Sequence, residues 1–229
     1  MIIFNFGIPN SGTDWSQAVF QKIWQHQSFE FRSEKTTSME ELNQVIGSMN
    51  VEERLILQFD FLTQEAIAAA QQDAVRPFYH YRDPRDVVCA EMEYRDMTFA
   101  DAVDQTVAAY QEIHHALCLP GIMVIPYEHL LCNAEGLIFQ MATKLGVLLK
   151  LADVAAIAEE MKDLLSGSPT VNSAQASSQA LRIDAEHTEE SAPVHSLHIG
   201  KWRERLSQSE QAMVTRFFKP LVTQFGYGE

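Results

Sequence analysis

The chain has 229 residues, of which 46% are hydrophobic and 21% are charged, and this composition excludes wholesale disorder. It carries 17 Lys and Arg against 31 Asp and Glu, a formal charge of −14 at pH 7. This acidic excess argues against a nucleic-acid-binding protein and against an extended polyanion as substrate, because both require a strong basic field. A small anionic ligand held by a few local cations is still compatible with the charge.

The cysteines and the apolar stretches of the sequence indicate the cellular compartment. The three cysteines, Cys89, Cys118 and Cys132, are odd in number and show no C-x-x-C spacing. This pattern predicts buried free thiols in a reducing compartment rather than a disulfide framework or a zinc site. The first residues lack the basic segment of a signal peptide, and no stretch approaches 18 apolar residues. We therefore expect a cytoplasmic protein without a membrane span.

Short apolar runs alternate with segments of helical apolar period along the first 165 residues. Strands are predicted at Ile2–Gly7, Leu55–Phe59, Phe78–Tyr81 and Ile122–Pro126. The main helices are predicted over Thr13–Gln27, Ser38–Met49, Thr63–Gln72, Thr98–Leu117, Asn133–Leu145 and Leu151–Leu165, with a further one from Asp83. Four strand–helix repeats are typical of an α/β fold in which helices cover both faces of a parallel sheet.

Residues 166–198 break this alternation. Their first part is small and polar, and the segment Asp184–Glu190 is acidic. We interpret residues 166–198 as a flexible loop and a candidate lid over a ligand. A last amphipathic helix is predicted to begin at Ser207, because Ser207 and Glu210 have the spacing of a capping box. The sequence thus predicts one domain over residues 1–229 that carries this lid loop.

Two strand-to-helix corners carry polar residues where open parallel sheets bind their ligands, beyond the carboxyl ends of strands. In the first, Gly7 and Gly12 have the Gly-x-x-x-x-Gly spacing of a phosphate-binding loop, whose backbone N–H groups face an anion. The Lys that serves the phosphates of a nucleoside triphosphate is absent, because Thr13 and Asp14 follow Gly12. The spacing alone fits a tight turn without a ligand equally well.

The second corner is the segment His80–Val88. Arg82 stands where the strand ends, and its guanidinium could bind a phosphate through two hydrogen bonds. Asp83 and Pro84 are typical of a helix start. Taken alone, the segment is explained slightly better by an ion pair of Arg82 with Asp83 or Asp86.

Together with two later segments, these corners resemble the motifs of sulfotransferases that use 3′-phosphoadenosine 5′-phosphosulfate (PAPS). Residues 8–15 are similar to that family's 5′-phosphosulfate loop, and residues 81–87 to its 3′-phosphate motif. Residues 126–130 resemble its Tyr-Glu-Asp-Leu segment, and residues 200–203 its Gly-x-Trp-Arg segment. The resemblance implies a three-layer α/β/α sandwich, similar to P-loop nucleoside triphosphate hydrolases. It also implies transfer of a sulfuryl group from PAPS to a hydroxyl or amine of a small acceptor.

The same resemblance implies nucleotide-binding roles for nine residues, namely Ser11, Gly12, Thr13, Asp14, Trp15, Arg82, Lys201, Trp202 and Arg203. Residues of the first loop would surround the 5′-phosphate of PAPS or of its product PAP, and Trp15 would stack on the adenine. Arg82 would bind the 3′-phosphate, and the segment 201–203 would lie near the 3′ side of the nucleotide.

Several residues depart from the family's pattern at the reacting end. Asn10 stands in place of the loop cation that stabilises the bridging oxygen, and Asp14 in place of a Thr. Ala90 replaces a Ser that shares the 3′-phosphate. Asp60 ends the strand segment where the family often has a His base, so we predict catalytic roles for Asp60 and Asn10. A loop cap is an equally good interpretation of Asp60, and His195 or His198 could supply the missing cation.

Two other functions stay open. Loss of one transition-state donor typically lowers turnover by a factor of about 10²–10³, so a non-catalytic relative that binds a nucleotide or a protein partner is one alternative. A small-molecule kinase is the other, and the missing loop Lys disfavours it. No metal site is expected, because the adjacent residues His114 and His115 point to different faces of a helix.

Overall fold

The computed structural model describes residues 1–50, 52–59, 63–111, 113–166 and 199–228. Asp60, His195, His198 and residues 167–198 of the predicted lid loop lie outside these ranges. The strands are β1 (Ile2–Gly7), β2 (Arg32–Thr36), β3 (Leu55–Phe59), β4 (Val75–Tyr81) and β5 (Met123–Pro126). All pairings between them are parallel, and the order in the sheet is β2-β3-β1-β4-β5.

Helices connect the strands and follow the last of them. The first six are α1 (Thr13–His26), α2 (Met39–Gly47), α3 (Gln64–Ala70), α4 (Pro84–Tyr94), α5 (Phe99–Gln111) and α6 (Ile113–Leu117). After β5 come α7 (Tyr127–Cys132), α8 (Ala134–Lys144), α9 (Leu151–Ser166), α10 (Trp202–Arg205), α11 (Gln208–Phe217) and α12 (Lys219–Gln224). In the described part of the chain, none of these helices is long and apolar enough to cross a membrane.

Alternate residues of each strand point to opposite faces of the sheet, and both faces are covered. On one face, Ile3 and Ile56 belong to a hydrophobic cluster with residues of α1, α8 and α9. On the other face, Phe4 and Leu57 belong to a cluster with residues of α2, α3, α5 and α6. The predicted three-layer α/β/α sandwich with a parallel sheet is confirmed.

The sequence pattern does not predict strand β2. Its residues, Arg-Ser-Glu-Lys-Thr, contain no apolar run, and only Thr36 is buried. As an edge strand, β2 bonds to β3 alone, so one flank stays open to solvent and tolerates charged side chains. Backbone pairing with β3, rather than apolar burial, makes this segment a strand.

The segment predicted over Thr98–Leu117 is helical in α5 and α6, on either side of residue 112, which lies outside the described residues. The last predicted helix is divided into α11 and α12. Pro220 lies in the first turn of α12, where it lacks the N–H that would continue α11. The predicted capping box at Ser207 is confirmed, since Ser207 and Glu210 bond reciprocally.

The cysteines are free thiols, as predicted, but only Cys89 is buried. Cys118 and Cys132 are exposed, so the prediction of buried thiols is wrong for these two. Cys118 follows the last residue of α6 and Cys132 ends α7, and both positions lie outside the strand and helix faces that form the hydrophobic clusters. Burial raises the pKa of Cys89 to about 12.

Candidate functional site

Neighbouring strands bring the two predicted corners together. β1 pairs with β4, and Gly7 lies opposite His80 in the register, so both chains leave the sheet at the same edge. The contact is direct, because Arg82 Nη1 donates a hydrogen bond to the Asn10 carbonyl oxygen at 3.3 Å. The sheet edge beyond these strands is therefore the candidate site.

Backbone geometry explains why glycine occupies both of these positions in the first loop. A Cβ on Gly7 would lie 2.5 Å from the His80 carbonyl oxygen, so no side chain fits between β1 and β4 there. Gly12 has a φ of 93°, in the left-handed region that favours glycine. Gly12 precedes α1 and offers no side-chain cap, which leaves first-turn N–H groups of α1 for an anion.

Asn10 is bound to a carboxylate. Its Nδ2 donates to Glu91 Oε1 at 3.0 Å, and Glu91 Oε2 lies 3.3 Å from the Arg95 guanidinium. The Glu91 side chain is 1% exposed, and burial raises its pKa. Asn10 has a φ of 62°, a backbone conformation in which Asn is enriched. Sequence reasoning missed Glu91, because nothing local indicates that it reaches a loop 81 residues away.

The neighbouring loop residues point into the protein. The Ser11 hydroxyl donates to the Ile8 carbonyl, and Ser11 is fully buried. The Thr13 hydroxyl accepts from Gln58 Nε2 at 3.3 Å, and Thr13 is 6% exposed. The Trp15 ring belongs to the hydrophobic cluster on the α1 face of the sheet and is 4% exposed. Because these side chains are buried, the polar groups of this part of the loop that remain for a ligand are mainly those of the backbone.

Asp14 differs from them because its side chain is exposed. Its Oδ1 accepts a hydrogen bond from Gln58 Nε2 at 2.7 Å and lies 3.5 Å from Lys35 Nζ. Gln58 belongs to β3 and Lys35 to the unpredicted strand β2. The negative charge at this loop is thus partly balanced by a lysine that sequence reasoning did not bring to the site.

Arg82 is 4% exposed although it is charged. Its guanidinium lies over the Tyr127 ring, 4.2 Å from the centroid, in a cation–π contact. The Tyr110 hydroxyl donates to the Arg82 carbonyl oxygen and holds the backbone at this corner. Burial of a charged group is costly unless partners compensate it, and the Asn10 carbonyl oxygen and the Tyr127 ring are two such partners.

Of the two carboxylates offered above as partners of Arg82, Asp83 is instead paired with Arg85, at 2.7 Å. The Asp83 side chain also caps α4 by accepting from Arg85 N. Glu128 accepts from the Asp83 backbone N–H at 3.2 Å and from the Tyr227 hydroxyl at 3.0 Å. Burial raises the pKa of Glu128. This network links the α4 start, α7 and the chain end.

Asp86 connects the C-terminal segment to the same corner. Its carboxylate accepts from the backbone N–H groups of Gly200 at 2.7 Å and Trp202 at 3.1 Å. Burial raises the pKa of Asp86, and the Arg82 charge acts in the opposite direction. The Lys201 ammonium is bonded to Glu93, and the Arg203 guanidinium lies 4.2 Å from the centroid of the Trp202 ring. The predicted segment 200–203 therefore reaches the site.

The structure is similar to three crystal structures at low sequence identity. A complex of retinol dehydratase with androsterone and the inactive cofactor PAP has a TM-score of 0.69 and 15% identity, covering 96% of this chain and 80% of that one. Mouse sulfotransferase SULT7A1 complexed with PAP has a TM-score of 0.68 and 17% identity, with 97% and 83% covered. A complex of retinol dehydratase with retinol and PAP has a TM-score of 0.64 and 15% identity, with 96% and 81% covered.

The chain has the sulfotransferase fold. The sequence matches no family model and no curated protein, so the similarity is carried by the structure. Within this fold, the predicted loop, the Arg82 corner and the segment Gly200–Arg203 converge at one sheet edge. The roles predicted for individual site residues stay predictions.

Carboxylates are numerous around the sulfotransferase-fold site. Five of them lie on the loop or on α4 and α7, namely Asp14, Asp83, Asp86, Glu91 and Glu128. Asp83 is paired with Arg85, and Glu91 with Arg95. Arg82 is a buried cation at the same corner.

Proposed function

We propose that this protein binds PAPS and its product PAP at the candidate site and transfers a sulfuryl group to a hydroxyl or amine of a small acceptor. The observation that carries the proposal is the contact between the phosphate-type loop and Arg82, since Arg82 Nη1 bonds to the Asn10 carbonyl. A nucleotide with phosphates at both its 3′ and 5′ positions needs two anion sites on one edge. The α1 start and Arg82 provide them.

The residues fit the nucleotide end of PAPS. The first-turn N–H groups of α1 suit the 5′-phosphate, because a helix N-terminus carries a partial positive charge. Arg82 suits the 3′-phosphate, because a guanidinium matches phosphate geometry. Asp86 would act by positioning, since it holds the backbone of Gly200 and Trp202 beside this corner.

The residues at the reacting end fit the sulfuryl group of PAPS less closely than the other residues fit its nucleotide end. PAPS supplies a sulfuryl group whose bond to the bridging oxygen breaks as the acceptor binds to sulfur. Asn10 can donate a hydrogen bond to the bridging oxygen, but it carries no positive charge. Its amide is also hydrogen-bonded to Glu91. Asp60 is the proposed general base, which would take the proton from the acceptor. The three free thiols support the proposed cytoplasmic location, where thiols stay reduced.

Calorimetric titration with PAP and with ATP tests the binding step. We expect PAP to bind and ATP to bind much more weakly. Arg82→Ala should weaken PAP binding by about 10- to 100-fold, the range of a hydrogen bond to a charged group. Arg76→Ala is the matched control, because Arg76 lies at the opposite end of β4 and bonds to the Asp73 and Val75 carbonyls.

Thermal melting of each variant ensures that a lost affinity is not lost folding. If neither nucleotide binds, the proposal is wrong. ATP binding without PAP binding would support the kinase alternative. Equal PAP affinity in Arg82→Ala and wild type would move the 3′-phosphate away from Arg82.

A binding protein without turnover is the second candidate function, and the bond between Asn10 and Glu91 favours it. A sulfate-transfer assay over phenols, alcohols and amines separates the two candidates. If the chain is an enzyme limited by its loop, Asn10→Lys combined with Asp14→Thr should raise turnover with little change in PAP affinity. Asn43→Lys, on the exposed side of α2, is the control for added charge. No transfer by any variant, with PAP still bound, would favour the binding protein.

A further inference from the structure

A second concave surface adjoins the nucleotide site and shares Trp202 with it. It is a groove of about 550 Å³ between α10, α11 and α12, which we call the α11–α12 groove. Its volume is within the range of small-ligand pockets, roughly 300–1,000 Å³. Trp202 and Tyr227 provide its aromatic lining, and Arg216 and Lys219 its charges. Neither Arg82 nor any residue of the phosphate-type loop is among the lining residues.

The charge of this groove is opposite to that of the whole chain. The chain has 31 acidic residues and a formal charge of −14, yet no Asp or Glu belongs to the described lining. Several cations of the protein are paired with a carboxylate, as Lys22 is with Glu160. Within the ranges that the structure describes, Arg216 and Lys219 form no such pair. A local positive field in an acidic protein selects anions.

The groove also offers hydrogen-bonding groups and an ordered wall. Thr215 and Thr223 contribute hydroxyls to the lining. Gln211 is held in place, because its amide donates to the carbonyls of Arg203 and Leu206 at 2.9 and 2.7 Å. Its amide oxygen is left to accept a hydrogen bond from a ligand.

The aromatic lining is also fixed from behind. The Trp202 backbone N–H is bonded to Asp86, and the Arg85 guanidinium lies 4.1 Å from the Trp202 ring centroid. The Tyr227 hydroxyl is bonded to Glu128. Rings that are already ordered lose little conformational entropy when a ligand packs against them.

We infer that the α11–α12 groove is a second ligand site, which takes a compact organic anion with an aromatic or apolar body. The anionic group, a phosphate or sulfate ester or a carboxylate, would lie between Arg216 and Lys219. The body would pack against Tyr227, and Trp202, which is 5% exposed, would form the floor of the groove. Its charged residues, Arg216 and Lys219, do not belong to the nucleotide site, whereas Trp202 is shared between the two sites.

Phenyl phosphate is the probe, with phenol as its neutral counterpart and inorganic phosphate as the anion without a ring. Backbone amide NMR on the full chain should show saturable shifts in α11 and α12 with phenyl phosphate. We expect weaker binding of inorganic phosphate and none of phenol. Arg216→Gln combined with Lys219→Gln should weaken phenyl phosphate binding at least tenfold. PAP affinity should not change in this double variant.

Two control variants complete the test. Lys144→Gln with Lys150→Gln makes the same charge change near the end of α8, and it should leave phenyl phosphate binding unchanged. Arg82→Ala should also leave the shifts of α11 and α12 unchanged. The inference is wrong if the probe does not saturate by millimolar concentration or binds the groove variant as tightly as wild type. Loss of the shifts in Arg82→Ala would likewise overturn it, since the probe would then occupy the nucleotide site.

Discussion

The buried histidine of β4 should make this protein sensitive to acid. His80 is fully buried beside Gly7, and its strand neighbour on the other side is Ile125. Neither ring nitrogen has a hydrogen-bond partner among the described residues. Burial lowers the pKa of His80 from 6.5 to about 3, so the ring is neutral at pH 7 in the folded chain.

The sign of the pH effect follows from linkage. Because the folded pKa lies below the unfolded value, the unfolded chain binds more protons between pH 6.5 and about 3. The stability associated with neutral His80 is complete above pH 6.5 and declines as the pH falls towards 3. One pKa unit corresponds to about 1.4 kcal/mol, so His80 should cost the wild type about 2 kcal/mol between pH 7 and pH 5.

Urea unfolding of wild type and His80→Leu between pH 7 and pH 4.5 measures this difference. Leucine has a similar size and suits an apolar site, so we expect it to be neutral or stabilising at pH 7. It should lose about 2 kcal/mol less than wild type by pH 5. His114→Leu, at an exposed position of α6, should follow the wild-type curve.

Parallel curves for wild type and His80→Leu would refute the reasoning. A second measurement does not depend on the variant's folding. The imidazole NMR signals of His80 in the wild type should show no titration between pH 8 and pH 5. A midpoint near 6.5 would mean that the ring reaches solvent or a partner.

Three further predictions concern the loop, the carboxylate beside it and a helix cap. Gly12→Ala should destabilise the fold by about 1–2 kcal/mol in urea unfolding, because its φ of 93° disfavours a side chain, and an unchanged midpoint would contradict this. Glu91→Gln should tighten PAP binding severalfold in calorimetry, since it removes a charge that lies 3.0 Å from the Asn10 amide, and equal affinity would place the phosphates elsewhere. Ser207→Ala should cost about 1 kcal/mol through loss of the α11 cap, measured by thermal melting, and an unchanged melting temperature would contradict this.

Local patterns in the sequence were enough to predict a parallel sheet with helices on both faces. Buried strands such as β3 are continuous apolar runs, and short-range hydrogen bonds such as the Ser207 cap mark the helix starts. The spacing of Gly7 and Gly12 likewise indicated a loop whose backbone requires glycine. Each of these features depends on residues close together in the chain, so the sequence by itself determined them.

Tertiary structure alone decided the charge balance of the site. The Asn10 amide meets Glu91 across 81 residues, and the Lys201 ammonium meets Glu93 across 108. No local pattern distinguishes these carboxylates from solvated ones on a helix surface, because their partners are set by how α4 packs against the sheet edge. The edge strand β2 is similar, since pairing with β3 made it a strand despite its polar sequence. The parallel sheet with helices on both faces could therefore be predicted from periodicity, whereas strand β2 and the electrostatics of the site required the packed structure.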